Sequence, residues 1–191
     1  MDTAERLLEA AKSRLLAGGY ADLSTRKVAA EAGVPLSQIH YHFGSRKGLV
    51  LALLERENGL LIARQQALFR QVIPLWQRYE QACDFLEQDL ASGYVRILQE
   101  MVAAGWSDDS IAARVRTAID GWRRTLAEVV DRDLGNGPLS PAQLGDLVCF
   151  TFLGAESVLL LERDDEQARA RVMRALRAVG GVIRAVEEDE G

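Results

Sequence analysis

A polar stretch near the start of the chain carries the side chains best suited to chemistry. It runs from Ser24 to Lys47 and reads STRKVAAEAGVPLSQIHYHFGSRK. Ser37 and Gln38 stand near the start of a predicted helix, with Leu36 beside them. Glutamine can pair bidentately with adenine, and serine hydrogen-bonds to several base edges. We therefore predict that Leu36, Ser37 and Gln38 contact bases in a DNA major groove.

A second set of side chains in the same stretch is suited to binding phosphate groups. Cationic side chains, hydroxyls, imidazoles and helix N-termini all bind phosphate oxygens. Contacts of this kind position a protein on DNA without reading its sequence. The predicted phosphate contacts are Thr25, Arg26, Tyr41, His42, Arg46 and Lys47.

Residues that could support catalysis or bind a metal do not form a recognisable set. His40 and His42 stand two residues apart, which on a helix directs them to different faces. Cys83 and Cys149 have neither metal-ligand nor disulfide spacing and are expected to be buried thiols. No nucleophile and base pair, HExxH motif or glycine-rich phosphate loop occurs. We expect no metal, no cofactor and no enzymatic activity.

The polar stretch must be positioned by short helices. Hydrophobic periodicity predicts a first helix over Asp2–Ala17 that ends at Gly18-Gly19. A second helix follows Ser24, its predicted N-cap, and ends at Gly33, where a tight turn is expected. A third begins at Val34-Pro35, because proline is tolerated in a first helical turn, and runs to about Tyr41. The pattern indicates a three-helix, helix-turn-helix head over residues 1–47.

The rest of the chain, residues 48–191, is also predicted to be helical. Its pattern of apolar positions and breaks gives about nine helices in all and no credible strand, which is the all-α class. The predicted helices run from a Ser45 cap to about Gln71, from Leu75 to Leu90, from Ser92 to Ala104, from a Ser107 cap to Leu134, from a Ser140-Pro141-Gln143 capping box to Leu161, and from Asp164 onward, with breaks at Gly105 and at Gly135-Asn136-Gly137-Pro138.

Charge is distributed unevenly along the chain. The net charge is −5, yet the residues through Lys47 hold seven basic and five acidic side chains, against 16 basic and 23 acidic in the rest. A basic end on an acidic chain fits contact with DNA through that end. No uninterrupted apolar run approaches the roughly 20 residues of a membrane span, and no export signal is evident at the N-terminus. We expect a cytoplasmic protein without a membrane partner.

The head resembles the TetR/AcrR family of one-component regulators. The resemblance implies a helix-turn-helix DNA-binding domain followed by a helical ligand-binding and dimerisation domain. Three positions depart from the usual pattern: Gln38 replaces a common Thr, His40 a common Tyr, and Gly48 a common acidic residue. The positions that carry the resemblance are Gly19-Tyr20, Thr25, Val28-Ala29, Ala32-Gly33-Val34, Ile39-His40-Tyr41-His42-Phe43 and Ser45-Arg46-Lys47.

The family resemblance also implies that the last two helices form a four-helix interface with a second copy of the chain. The sequence agrees, because both helices carry wide apolar stripes and Gly154 permits close helix approach. The alternative is that these faces pack inside one chain. The predicted interface residues are Phe150, Leu153, Gly154, Val158, Leu176, Val179 and Ile183.

Aromatic and soft side chains are concentrated in the central helices, where they predict a mostly apolar ligand pocket. Each could instead belong to the core. The predicted function is a repressor that binds a pseudo-palindromic DNA operator as a homodimer and is released by a small, mostly apolar effector. The alternatives are a helical adaptor that no longer binds DNA and, less favoured, a helical enzyme or metal protein. The predicted pocket residues are Phe69, Trp76, Phe85, Tyr94, Met101, Trp106 and Trp122.

Overall fold

The computed structural model of the chain describes residues 1–134 and 139–189, and all regular structure in these ranges is helical. The predicted all-α class with about nine helices is thus confirmed for the described residues. The predicted break at Gly135-Asn136-Gly137-Pro138 lies outside them. The helices are α1 Thr3–Asp22, α2 Thr25–Ala32, α3 Ser37–Phe43, α4 Arg46–Phe69, α5 Leu75–Ser92, α6 Tyr94–Gly105, α7 Asp109–Leu134, α8 Pro141–Leu161 and α9 Glu166–Asp189.

The chain divides into two compact units. The first unit comprises residues 1–60 and 93–116, and the second comprises residues 61–92 and 117–191. The first unit therefore contains the predicted head together with most of α4, all of α6 and the start of α7. Both α4 and α7 contribute residues to each unit.

The predicted helix start is confirmed for α8, whereas α7 and α3 begin at residues other than those predicted. The capping box at the start of α8 is confirmed, because Gln143 N donates to Ser140 Oγ at 3.3 Å and Ser140 N donates to Gln143 Oε1 at 2.9 Å. The start of α7 is capped by Asp108 and not by Ser107, since Asp108 Oδ1 accepts from Ser110 N at 3.0 Å. Helix α3 begins at Ser37, after Pro35 and not with it.

The core of the first unit is built from the inward faces of α1, α3 and α4. Leu7, Leu15, Ile39, Leu49 and Leu53 are all completely buried. Helix α1 packs against α2, α3 and α6. Burying one such aliphatic side chain contributes roughly 1.5–3 kcal/mol. This small core fixes the position of the short helices that carry the polar stretch.

The core of the second unit is organised around aromatic side chains. Helix α9 packs against both α5 and α8. The ring of Phe152 lies edge-on to Tyr79 and to Trp122, with centroids 5.8 Å and 5.5 Å away. Tyr79 also donates its hydroxyl hydrogen bond to the carbonyl of Leu176 at 2.8 Å. Edge-to-face pairs of this kind contribute roughly 0.5–1.5 kcal/mol each beyond their burial.

Both cysteines are buried and unpaired, as the sequence predicts. Burial raises the pKa of the Cys83 thiol to about 11 and that of the Cys149 thiol to about 12. Because the thiolate is the reactive form, both side chains remain unreactive neutral thiols near neutral pH.

Helix α8 is strongly apolar along its length. Among the described helices it alone is long and apolar enough, by length and composition, to cross a membrane. The core helix of a soluble protein meets the same criterion, so this property alone does not indicate a membrane span. One acidic residue, Glu156, is buried in its second half, and Asp146 near its start binds Arg123.

A matched pair of glycine substitutions tests the turn that ends α2. Gly33 has φ +64°, a left-handed conformation that costs other residues roughly 1–2 kcal/mol. Gly59 is exposed inside α4, where an added Cβ meets nothing within 4 Å. Gly33→Ala should lower the Tm by roughly 2–8 °C, and Gly59→Ala should raise it by roughly 1–4 °C. Thermal unfolding followed by circular dichroism measures both, and equal effects of the two changes would contradict the assigned turn.

Candidate nucleic-acid interface

The turn between α2 and α3 is closed by backbone hydrogen bonds around Gly33. Gly33 N donates to Ala30 O at 3.1 Å, and Val34 N donates to Ala29 O at 3.0 Å. This pair of bonds is the Schellman arrangement, which requires a left-handed residue after the last helical turn. The chain therefore leaves α2 in one defined direction before α3 begins.

An arginine on α1 holds the same turn from outside. Arg6 Nε donates to the carbonyl of Ala32 at 3.1 Å, and Arg6 Nη2 donates to the carbonyl of Gly33 at 3.1 Å. These carbonyls stand at the negative end of the α2 dipole, where a cation is stabilising. Sequence reasoning did not identify Arg6, because no local pattern shows a partner 26 residues away.

The predicted base contacts occupy the first turn of α3. Ser37 is its first residue and is exposed, while Gln38 and Leu36 are half-buried. Ile39, the next residue, is completely buried and fixes which side of the helix faces inward. A short polar surface at a helix N-terminus has the dimensions and hydrogen-bonding groups that read base edges.

The exposed face of α3 continues into the predicted phosphate contacts. Tyr41 is 80% exposed and His42 is also exposed. On a helix, residues four apart share a face, so Tyr41 lies with Ser37 and His42 lies with Gln38. The rings of Tyr41 and His42 are in edge contact, with centroids 4.9 Å apart. Each candidate base contact is therefore followed, one helical turn later on the same face, by a candidate phosphate contact.

The predicted contacts on α2 lie at its start. Thr25 is the first residue of the helix and is half-buried, and Arg26 is exposed. Ser24 has the extended backbone of an N-cap, but its side chain makes no capping hydrogen bond. The backbone N–H groups of this turn are therefore not capped by that serine, which is favourable for an approaching anion.

The side chain of Arg46 binds the end of α1. Its guanidinium lies 4.5 Å from the centre of the Tyr20 ring and donates to the carbonyl oxygen of Tyr20. On the other side of the same residue, Tyr20 N donates to Glu100 Oε2 on α6 at 3.0 Å. These contacts follow Gly19, where α1 is kinked. The structure therefore places Arg46 in a positioning role, and its predicted phosphate contact would compete with Tyr20.

Lys47 is paired with a carboxylate of the same unit. Its Nζ donates to Asp108 Oδ2 at 2.9 Å. Hydrogen bonds from Ser110 and Lys47 lower the pKa of the Asp108 carboxyl, so it is ionised near neutral pH. A phosphate that binds Lys47 must therefore compete with Asp108 for the ammonium group.

Gly48 departs from the family pattern for a steric reason. Gly48 N donates to Ser45 Oγ at 3.0 Å, which confirms Ser45 as a cap of α4. A Cβ at position 48 would overlap with the carbonyl oxygen of Phe43. Glycine permits the close approach of the α3 end to the first turn of α4.

Among the described residues, no three His, Cys, Asp or Glu side chains form a group that could hold a metal ion. His40 instead has its Nδ1 3.2 Å from the carbonyl oxygen of Gly44.

The predicted pocket residues are divided between the two units. Phe69 and Trp122 line one apolar cavity in the second unit. Elsewhere in that unit, Trp76 lies under the guanidinium of Arg184 and Phe85 under that of Arg64. The remaining predicted pocket residues, Tyr94, Met101 and Trp106, belong to the first unit, where Tyr94 and Met101 are buried and Trp106 is 83% exposed.

The predicted dimer residues divide into exposed and buried sets. On α8, Phe150 and Val158 are 57% and 38% exposed, and Gly154 is exposed between them. Leu153 and Val179 are half-buried. Leu176 and Ile183 are buried within the chain itself and do not contribute to an exposed surface. Sequence reasoning missed Leu147, Leu161 and Val182, which are exposed.

Helices α1 to α3, with a left-handed turn between the second and third, form a helix-turn-helix domain. Residues 7–53 match the family described as bacterial regulatory proteins, tetR family. Over these residues the chain is similar to the members of that family. The family's description is that of regulatory proteins, which agrees with the expectation of a regulator and not of an enzyme.

Individual relatives agree with this assignment. The HTH-type transcriptional activator FasR of Mycolicibacterium smegmatis is 28% identical over 134 residues, which are 68% of this chain and 59% of FasR. The match thus spans about three fifths of that relative's length. A TetR transcriptional regulator from Legionella pneumophila has the same fold, with a TM-score of 0.78, 18% identity and coverage of 94% of this chain and 97% of the other.

A regulator from Saccharomonospora viridis, solved in complex with choline, has a TM-score of 0.74 and 22% identity. It covers 92% of this chain and 93% of its own. At this identity the similarity establishes the fold alone.

The ion pair of Lys47 gives a test of the phosphate contact. Asp108→Asn keeps a cap for α7 but frees Lys47, so affinity for duplex DNA of any sequence should rise about two- to fivefold. The slope of log K against log[salt] should steepen by up to about 0.9 for each Lys47 that engages a phosphate. Fluorescence anisotropy with labelled duplexes measures both quantities.

The matched control is Glu55→Gln, which removes the carboxylate of another α4 to α7 ion pair, Glu55 with Arg114 at 2.9 Å. It deletes the same charge about two turns farther along α4. Equal gains in affinity from both variants would show a general charge effect and contradict a specific role for Lys47.

Proposed function

We propose that the chain is a ligand-responsive transcription repressor that binds a pseudo-palindromic DNA operator as a homodimer in the cytoplasm. The observation that carries the DNA-binding part is the exposed face of α3. Exposed Ser37 and half-buried Gln38 in its first turn are followed by exposed Tyr41 and His42 in the second. In helix-turn-helix proteins the first turn of the second helix of the motif enters the DNA major groove. The two half-sites of the operator are then related by the symmetry of the protein dimer.

Dimerisation is supported by an apolar stripe on α8. Leu147, Phe150, Gly154, Val158 and Leu161 follow one another at spacings of three and four residues, which places them on one face of the helix. All five are exposed. Contiguous exposed apolar surface of this kind marks an interaction site in a soluble protein.

Helix α9 offers a second exposed stripe of small apolar residues. Ala175, Ala178, Gly181, Val182 and Ala185 are all exposed and also follow a helical spacing. Because α8 and α9 pack against each other, two copies can join these faces in a four-helix interface about a two-fold axis. The chain supplies both halves of a self-complementary surface.

The ligand response is supported by the continuity of α4. This helix begins with Arg46 and Lys47 beside α3, and near its other end Gln65 and Phe69 line the apolar cavity. A ligand that favours one arrangement of α4 weakens DNA binding by the same coupling free energy that DNA exerts on the ligand. The choline complex of the Saccharomonospora viridis protein shows a small molecule bound to this fold.

The direction of regulation is proposed from the family resemblance, while the relative FasR is named an activator. A reporter gene behind the bound operator decides between the two. Deletion of the regulator should raise expression if it represses and lower expression if it activates.

A second candidate function, an adaptor without DNA binding, draws on one specific observation. Two predicted phosphate contacts are engaged inside the chain, Arg46 with Tyr20 and Lys47 with Asp108. The DNA-binding measurement below separates the two functions.

We expect the chain to select a palindromic sequence from random duplex DNA, with affinity that falls about a thousandfold or more between about 50 and about 200 mM salt. Gln38→Ala should change the preferred base at one position in each half-site, at about 1–3 kcal/mol of discrimination. Tyr41→Phe, which removes only a hydroxyl, should weaken all sequences alike. No salt-dependent binding to any duplex would favour the adaptor.

A charge placed in the α8 stripe tests the dimer. Phe150→Asp should reduce the mass in solution from twice the 21.1 kDa of the chain to a single chain and abolish selection of a palindrome. Val72→Asp is the control, because Val72 is fully exposed but lies between α4 and α5. Light scattering after gel filtration gives the mass, and a dimeric Phe150→Asp protein would place the interface elsewhere.

A further inference from the structure

A polar cleft opens in the second unit where α4 ends, α5 begins and α7 ends. Its volume is about 530 Å³, within the range of pockets that hold small molecules. Among its described lining residues three are arginines, Arg70, Arg78 and Arg132, and one is an aspartate, Asp133. It shares no described lining residue with the apolar cavity of the same unit. The cleft is therefore a separate surface with a different chemistry.

One carboxylate serves two of the three arginines. Asp133 Oδ2 lies 2.7 Å from Arg78 Nη1 and 2.9 Å from Arg132 Nη2. Burial opposes ionisation of Asp133, but hydrogen bonds from Arg132 and Arg78 outweigh it and lower the pKa of the carboxyl. Asp133 is thus ionised near neutral pH. Its single negative charge neutralises only one of the two positive charges beside it.

The end of α4 supplies part of the remaining compensation. Arg78 Nη1 and Arg132 Nη2 both donate to the carbonyl of Phe69, the last residue of α4, at 3.2 Å and 2.9 Å. The carbonyl end of a helix carries roughly half a negative charge. Taken alone, these two bonds would only fix the end of α4.

Arg70 adds a positive charge that this arrangement does not balance. Its side chain is exposed and makes no hydrogen bond or ion pair with the described residues. With Arg70 counted, the three arginines exceed Asp133 and the helix end by roughly one and a half charges. Arg78 is only 4% exposed, and its Nε has no hydrogen-bond partner among the described residues. A buried cation without full compensation is destabilising, so an anion in the cleft would stabilise the fold.

We propose that this cleft binds a small anion that carries at least two negative charges on carboxylate or phosphate oxygens. Arginine binds both groups through paired, charge-assisted hydrogen bonds. Arg70 and Arg132 contact the anion, and buried Arg78 attracts it through its charge. The inference goes beyond the proposed function, because it requires neither DNA nor an apolar effector.

The test uses charged and neutral probes of matched shape on the full chain without DNA. Succinate carries two carboxylates, and succinamide replaces them with uncharged amides of nearly the same size. Pyrophosphate presents phosphate oxygens in place of carboxylates. Titration calorimetry measures the affinities at one ionic strength, so that screening is the same in every titration. Succinate, pyrophosphate or both should bind saturably, and succinamide should not bind.

Loss of either exposed arginine should weaken anion binding. Arg70→Gln and Arg132→Gln should each lower the affinity about two- to fivefold, since each removes one charged partner. Arg124→Gln is the matched control, because Arg124 is exposed on α7 about two turns before Arg132 and does not line the cleft. It should leave the affinity unchanged.

Removal of the shared carboxylate should have the opposite effect. Asp133→Asn should raise the affinity about two- to fivefold, because it ends the competition for Arg78 and Arg132. Asp131→Asn removes the same charge at an exposed position of α7 outside the cleft and should change nothing. Without anion, Asp133→Asn should lower the Tm by roughly 2–8 °C, and a saturating anion should restore part of the loss.

No saturable binding of either anion up to about 10 mM would overturn the inference. Equal affinity for succinate and succinamide, or equal effects of the cleft variants and their controls, would do the same. Binding of succinate alone identifies a carboxylate ligand, and binding of pyrophosphate alone a phosphate ligand; either supports the cleft. If Arg132→Gln or Asp133→Asn fails to fold, Arg70→Gln still decides, because it breaks no contact with the described residues.

Discussion

Unpaired backbone groups at helix ends are the constraint on which the first unit depends. Short helices leave most of their terminal N–H and C=O groups without partners, and a buried polar group without one is costly. Here charged side chains from other helices supply the partners. Arg6 binds the carbonyls at the end of α2, while Arg46 and Glu100 bind the two sides of Tyr20 after the kink of α1.

The same arrangement limits which cations remain for a nucleic acid. Arg6 and Arg46 stabilise the unit by binding carbonyls, and Lys47 is shared with Asp108. The exposed face of α3 instead presents hydroxyl, amide and imidazole groups. The hydrogen bonds that such a surface can make depend on geometry and can distinguish bases, which is the role proposed for it.

The parts of the structure that depend on nearby residues could be predicted from the sequence. The capping box at Ser140 and the left-handed turn at Gly33 were predicted because each is specified within a few residues. Ser107 and Asp108 are both good caps, and only the tertiary partner Lys47, 61 residues away, distinguishes them. For the same reason Arg46 was predicted as a phosphate contact, although its partner Tyr20 lies 26 residues before it.

The second unit shows a different limit. An apolar stripe on one helix predicts burial but does not say whether the burying surface belongs to the same chain. Leu176 and Ile183 pack inside the chain, whereas Val182 of the same helix is 66% exposed. Aromatic content is similarly ambiguous, because Trp122 lines the cavity and Trp106 is exposed. Only the three-dimensional packing separates core, cavity wall and outer surface.

In the proposed dimer, the exposed stripe of α8 would also determine how operator occupancy responds to the amount of protein. Where two chains must associate before either binds its half-site tightly, occupancy at low abundance rises with the square of the chain concentration. Halving the number of molecules in a cell then reduces the bound fraction about fourfold instead of twofold. Uneven partitioning of the molecules at cell division would thus perturb the regulated gene more sharply than it would with a monomeric regulator.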